Sequence, residues 1–179
     1  MMPLGSSRIT PLILGSAIAL ARFFAAPELP KEPCALLKPA EIQSALAPDA
    51  TIGNGKPSTD MLPIGVSCTY TWGPTSSKWG RTELTVTVID GTQEFHGLGI
   101  EDIQQGFAAM VQAHPANSSV IQGVGDAGAF TYEAGSFNAT AQAYYKSKSD
   151  HLVVRYHEGD ALQAKEKLIS LLKTAGKRL

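Results

Sequence analysis

The chain has 179 residues, of which 44 % are hydrophobic and 17 % charged. Fifteen basic and sixteen acidic side chains give a formal net charge of −1, so no overall field attracts nucleic acid or an anionic membrane. The part that follows the N-terminal region, about 150 residues, has the size of one domain and can bury a real core.

Residues 1–26 have the pattern of an export signal. Arg8 supplies a positive charge, residues 11–20 are apolar, and Arg22 interrupts a run too short to span a bilayer comfortably. Cleavage fits either after Ala21 or near Ala25, and the pattern leaves both open. We predict an exported protein, periplasmic or secreted, in which residues 27–179 form a single domain with no later membrane span. A cytosolic N-terminal helix is the alternative.

Cys34 and Cys68 are the two cysteines of the chain. Behind an export-type segment, this minimal even count predicts one structural disulfide, because exported proteins meet an oxidising compartment. The wide separation of the two residues disfavours a Cys-x-x-Cys redox site. Cys34 also lies well past the apolar run, so we do not expect a lipid anchor there.

The first predicted element is a short helix that starts at Pro39, since proline at the first helical position costs no hydrogen bond. Residues 49–63 predict a long loop. Alternating apolar and polar residues then predict two strands, 66–72 and 82–90, paired as an antiparallel hairpin with Cys68 and Trp72 facing inward. The disulfide would thus tie the first helix to the sheet.

Helical spacing of apolar residues predicts a second helix over 101–114. Three more strands follow by pattern, at 127–133, 138–146 and 151–157. Asp160 is the predicted N-cap of the last helix, with Gln163 as its capping-box partner, and Gly176 is the predicted C′ residue.

This order of elements predicts an α+β fold. We expect an antiparallel sheet of about five strands with the helices packed on one face, and the order suggests a duplicated helix-plus-hairpin unit. The other face of the sheet, rich in Thr, Ser, Gln and Lys, should meet solvent or a partner.

Residues 123–128 match the pattern G-x-G-x-x-G. A dinucleotide site needs a helix directly after these glycines, whereas the residues that follow here have a strand pattern. We therefore predict a glycine turn that leads into a strand, and no cofactor.

The histidines do not predict a metal site. His151 and His157 share a strand face with Arg155, but the two rings would lie about 20 Å apart, so they cannot hold one ion. We expect both to be solvated. Neither cysteine has zinc-finger spacing with a histidine.

No catalytic residue is predicted. The serines lack the G-x-S-x-G context, and of the neighbouring carboxylates Glu158 and Asp160 the second already serves as a helix cap. Trp79 and Arg81 lie in a polar connection and are candidate contacts for a partner, because tryptophan and arginine are enriched at binding hot spots. The alternative for Trp79 is packing against the edge of the sheet.

Several short motifs carry a resemblance to a known family. They are Pro33 to Ile42 (PCALLKPAEI), Cys68-Thr69-Tyr70, Leu84 to Val88, and Val124 to Ala127 before an aromatic strand. The chain from Cys34 to Ala175 resembles a family of small exported bacterial proteins, many of them actinobacterial lipoproteins of unknown function. The resemblance implies that the two cysteines form a structural pair, and it implies no activity. This chain differs in lacking a lipid-attachment cysteine and in having Lys38 where Thr or Ser would cap the helix.

Three functional hypotheses remain. The first is a non-enzymatic exported accessory domain that holds a small molecule or a protein partner. The second is an envelope protein with a structural or interaction role and no small ligand, and the third is a hydrolase with a non-standard site. We favour the first two, expect a monomer, and expect no nucleic-acid partner.

Overall fold

The computed structural model describes residue 29 and residues 32–73, 82–133, 135–158 and 161–179. The strands are β1 (Lys56–Ser58), β2 (Gly65–Trp72), β3 (Thr82–Asp90), β4 (Ser118–Val120), β5 (Ala127–Glu133), β6 (Asn138–Tyr145) and β7 (Asp150–His157). The helices are α1 (Pro39–Leu46), α2 (Gly91–Glu94), α3 (Ile100–Ala113) and α4 (Lys165–Gly176). Over these ranges the α+β fold is as predicted, with one antiparallel sheet in the order β1-β2-β3-β7-β6-β5-β4.

The sheet has seven strands, so the prediction of about five was wrong. The two additional strands, β1 and β4, have three residues each and form the two edges. Strands this short show no alternation that a sequence pattern can detect. β1 also lies inside the segment 49–63, which was predicted to be a loop, and it contains Pro57, a residue that suits an edge strand because it donates no backbone hydrogen bond.

One face of the sheet, called here the core face, packs against α1 and α4. Its central side chains are the fully buried Leu84, Val86, Leu152 and Val154. The apolar side of α4 closes over them with Leu168, Leu171 and Leu172. Alternation along each strand sends the remaining side chains to the opposite face, called the outer face.

The prediction that all helices lie on one face was wrong, because α3 packs on the outer face. Ile103 and Phe107 of α3 form a second buried cluster with Ala127, Ala129 and Tyr144 of the sheet. Both sides of β5 are therefore covered at Ala127 to Phe130, all of which are buried. The outer face is covered again at Tyr144 of β6 and His151 of β7, which are also buried.

The strand order is symmetric about β7. On one side lie α1 and the strands β1, β2 and β3, and on the other lie α3 and the strands β4, β5 and β6, with matching edge strands of three residues. The two helices sit on opposite faces, which fits a two-fold axis along β7. The sequence suggested a duplicated helix-plus-hairpin unit; the strand order places three strands on each side of β7.

Cys34 and Cys68 form a disulfide bond, with their Cα atoms 5.1 Å apart. Cys34 lies in a 3₁₀ turn (Pro33–Ala35) that precedes α1, and Cys68 is fully buried in the middle of β2. The bond therefore joins the start of the helical layer to the core face of the sheet. The Tyr70 hydroxyl reaches the carbonyl oxygens of Leu37 (2.5 Å) and Cys34 (3.0 Å) beside it. Burial, with a smaller effect of the Glu41 charge, raises the pKa of Tyr70.

The last helix differs from its prediction at both ends. Asp160, its predicted cap, lies outside the described residues; a 3₁₀ turn (Ala161–Ala164) comes first, and α4 begins at Lys165. Gly176 is the last residue of the helix and not a C′ residue. Its role is steric, because a Cβ atom there would overlap the Tyr145 hydroxyl.

Candidate functional site

The outer face has two parts with different surroundings. Near β4 and β5 it is covered by α3. In β7 and β6 the outer-face residues His151, Val153 and Tyr144 are buried as well. The remaining outer-face side chains of β1, β2, β3, β7 and β6, with Thr131 and Glu133 at the end of β5, are exposed or half-buried and mostly polar. These side chains form two rows that run across the strands. We call the two rows together the open face.

The first row of the open face contains four threonines and two cations. Strand register brings the row together from β1 to β5 as Lys56, Thr69, Thr85, Arg155, Thr140 and Thr131. Neighbouring strands lie about 4.8 Å apart, so each hydroxyl lies close to the next. The Oγ1 atoms of Thr69 and Thr85 are 3.1 Å apart and share a hydrogen bond.

The second row supplies hydrogen-bond acceptors as well as donors. Its members are Thr71, Glu83, His157, Asn138 and Glu133. Glu83 accepts a hydrogen bond from Thr85 of the first row at 3.2 Å. Asn138 Oδ1 lies 3.2 Å from His157 Nδ1. The open face therefore combines donors and acceptors on one surface.

Arg155 lies at the centre of the open face. It is the one exposed residue of β7, and strands β3 and β6 hold its backbone on both sides. Its guanidinium makes no hydrogen bond or ion pair with any side chain in the described ranges. The side chain therefore projects from a rigid strand with its donors available.

Arg178, unlike Arg155, is bound by other residues of the chain. Its two terminal nitrogens bind both carboxylate oxygens of Glu41, at 2.7 and 2.5 Å, and one of them also binds the carbonyl oxygen of Leu36. These hydrogen bonds hold the pKa of Glu41 down at about 2. Arg178 is thus a structural tie between the C-terminal end and α1, whereas Arg155 has no comparable role within the described residues.

His151 was predicted to be solvated, and this prediction was wrong. It is 4 % exposed, because α2 and α3 cover this end of β7. Its Nδ1 lies 2.5 Å from the carboxylate of Glu94 in α2, and its Nε2 lies 3.0 Å from Oε1 of Gln142. The rings of Phe95 and Phe107 pack against it. His151 therefore anchors the α2–α3 segment to the sheet, while His157 does remain half-buried on the open face.

The glycine motif at residues 123–128 forms a turn that leads directly into β5, as predicted. Gly123 and Gly125 have positive φ angles of 69° and 59°. A side chain at Gly125 would come within 2.5 Å of the Tyr144 carbonyl oxygen, which explains the glycine. Asp126 accepts a hydrogen bond from the backbone N–H of Lys146 at 2.7 Å, so its carboxylate serves the turn.

Clefts between helices and sheet are modest in the parts of the chain that the structure describes. One of about 310 Å³ lies between α3 and the glycine turn, beside Gln104, Phe107 and Ile121. A wider groove of about 690 Å³ lies between α1 and α4. Neither is the deep apolar cavity that would favour a buried small ligand.

The two residues predicted to contact a partner, Trp79 and Arg81, lie outside the described residues. Trp72, predicted to be in the core, is buried and stacks on Tyr156 with ring centroids 6.0 Å apart. No group of three or more His, Cys, Asp or Glu side chains within the described ranges is placed to hold a metal ion. No helix in those ranges has the length and hydrophobicity to cross a bilayer.

No family model, curated protein or solved structure matches the chain. The resemblance to small exported bacterial proteins therefore stays a prediction. Function has to be inferred from the open face. The sequence pattern placed its residues on the outward side of their strands, but it did not predict which of them would lie next to one another.

Proposed function

We propose that this protein is an exported accessory domain that binds a partner or ligand without catalysing a reaction, and that it binds through the open face. The observation that supports this is Arg155, an arginine with no partner within the described residues, at the centre of a polar surface on the middle strand of the sheet. An arginine held on a rigid strand is well placed for recognition, because little backbone motion is lost on binding.

The shape of the surface favours binding over catalysis. Acid–base and nucleophilic catalysis generally use an enclosed site that excludes water. The open face is not enclosed, since its side chains are exposed or half-buried. A surface of this kind suits a partner that lies across the strands and makes many hydrogen bonds.

Export is the second part of the proposal. The signal-like pattern of residues 1–26 and the disulfide between Cys34 and Cys68 support it. The intact mass of the protein purified from the envelope or the medium tests it. A mass that corresponds to cleavage after Ala21 or near Ala25 is the expected result, and an uncleaved chain confined to the cytosol would contradict export.

Photo-crosslinking in the producing cell tests the binding surface. A photoreactive amino acid is placed at Thr140 on the open face, and for comparison at Gln105, an exposed position of α3. We expect a crosslinked species from position 140 that is missing from position 105. Equal crosslinking at both positions, or none at Thr140, would contradict the assignment of the open face.

A further inference from the structure

The Arg155 side chain offers the chemistry that recognises an oxyanion. A guanidinium carries five N–H donors in a planar fork that matches the two oxygens of a carboxylate. Thr85 on β3 and Thr140 on β6 flank it directly in the first row. The Thr85 hydroxyl already donates to Glu83, so a carboxylate on Arg155 would have the Thr140 hydroxyl as its neighbouring donor.

The remaining open-face residues match hydroxyl groups. A sugar hydroxyl both donates and accepts, so it needs acceptors as well as donors in its site. Glu83 and Asn138 supply acceptors on the two strands beside β7, one on each side of His157, while Lys56 supplies a further donor in the first row. Lys56 lies three strand spacings from Arg155, about 14 Å along the row. This combination matches a polymer of hydroxyls with spaced negative charges.

We propose that the open face binds an acidic polysaccharide that lies across the strands, with a carboxylate of one sugar on Arg155. This inference rests on the proposed function and names the class of its ligand. A nucleic acid fits less well, because its dense phosphates would meet only Lys56 and Arg155 as cations in the two rows. The side chains of an acidic peptide carry no hydroxyl groups, so only its backbone N–H groups could pair with the acceptors Glu83 and Asn138.

Binding to defined oligomers tests the proposal with the mature protein. The probes are oligogalacturonate, its methyl ester, which keeps the hydroxyls but lacks the charge, and polyglutamate, which keeps the charge but lacks the sugar hydroxyls. Calorimetry and amide chemical shifts report affinity and location. We expect oligogalacturonate to bind at least tenfold more tightly than either comparison polymer, with shifts concentrated in β3, β6 and β7.

Substitutions on the open face locate the contact. Arg155→Gln should lower the affinity for oligogalacturonate about tenfold or more, because charge-assisted hydrogen bonds are lost. Arg155→Lys should recover only part of it, since a lysine has no fork. Thr140→Val, which keeps the shape, should weaken binding several-fold. The matched control is Lys148→Gln, which removes one positive charge from the exposed β6–β7 turn and should leave affinity unchanged.

Several outcomes would overturn the proposal. They are equal binding of the methyl ester, equal binding of polyglutamate, an equal loss for Lys148→Gln, and no binding of any oligomer. Melting temperatures of the two Arg155 variants should match the parent, because Arg155 is exposed. Crosslinking at Thr140 without any oligomer binding would reject the acidic polysaccharide and leave the proposed binding function standing.

Discussion

The two faces of the sheet are built from the same strands but have different surroundings. On the core face, α1, α4 and a disulfide close over a continuous layer of buried aliphatic side chains. On the outer face, the α2–α3 segment covers the β4–β5 side together with Tyr144 of β6 and His151 of β7, and the remainder presents threonines and charged groups. Because side chains alternate at every residue, one strand such as β3 contributes Val86 to the core and Thr85 to the open face. Stability and recognition can therefore change independently in this fold.

The helices on the two faces are also attached differently. α4 is held by leucines, whereas the α2–α3 segment is held by aromatic rings and by one contact between the buried His151 and the partly exposed Glu94. Substitutions on the core face should therefore have larger effects on the free energy of unfolding than those on the outer face.

Removing the disulfide is expected to have the largest effect. The double variant Cys34→Ser with Cys68→Ser frees the closed loop between them, and the loop-entropy relation gives a loss of about 3–4 kcal/mol in the free energy of unfolding. Urea unfolding of oxidised, reduced and double-variant protein measures it. If reduction leaves the urea midpoint unchanged, the bond does not stabilise the core face.

A pair of glycine substitutions compares the two helical layers. In α4, Gly176→Ala forces a methyl group against the Tyr145 hydroxyl and should destabilise the protein by about 1–3 kcal/mol. In α3, a methyl group added at Gly106 would meet no atom within 4 Å, so Gly106→Ala should stabilise by about 0.5–1 kcal/mol. Thermal melting of both variants measures the two effects on stability. Effects of the same sign would contradict the expected difference between the two helical layers.

Asp150, at the end of the core face, makes the free energy of unfolding depend on pH. Burial, opposed by the Lys148 charge and aided by the Asp90 charge, raises the pKa of Asp150 to about 6. Its folded-state pKa lies above its unfolded value, so the folded protein loses stability as the pH rises from about 4 to 6 and the carboxyl ionises. Asp150→Asn should therefore raise stability at pH 7, on the order of 1–2 kcal/mol, and flatten this part of the profile. Unfolding free energies measured from about pH 4 to 7 check it, and parallel profiles for parent and variant would contradict it.

The smallest expected effect is at the anchor of the outer-face helices. Glu94→Gln keeps the shape but removes the charge from the contact with His151, which should cost about 1 kcal/mol. Glu32→Gln, at an exposed position, is the matched control and should change little. Hydrogen exchange should show faster opening of α3 in the first variant only. An unaltered exchange rate in α3 would mean that the aromatic contacts alone hold the segment.

The alternating strands were predictable from sequence, and the cover on the outer face was not. Strands β3 and β5 match their predicted bounds, and in β3 the reason is a period-two pattern over nine residues, which is distinctive. The face chosen by α3 was missed, although a signal existed. Consecutive apolar residues at 152–154 and at 127–130 break the alternation, which indicates burial on both faces.

The open face could be predicted only in part. The pattern placed Arg155 and His157 on the outward side, and that is confirmed. The meeting of Thr85, Arg155 and Thr140 depends on β7 entering between β3 and β6, a long-range pairing that local patterns do not encode. His151 was misjudged for the same reason, since its cover comes from a helix far away in sequence.

The central position of β7 also has a consequence for the timing of folding. β7 is the last strand in chain order, yet it pairs with both β3 and β6. Until residues 150–157 are available, the two halves of the sheet have no strand in common, and each exposes one edge of its longest strand. Contacts so distant in sequence slow folding. A chain that passes from one compartment to another with its N-terminus leading would thus remain unfolded until nearly all of it has crossed, so that both faces of the sheet would form on the far side.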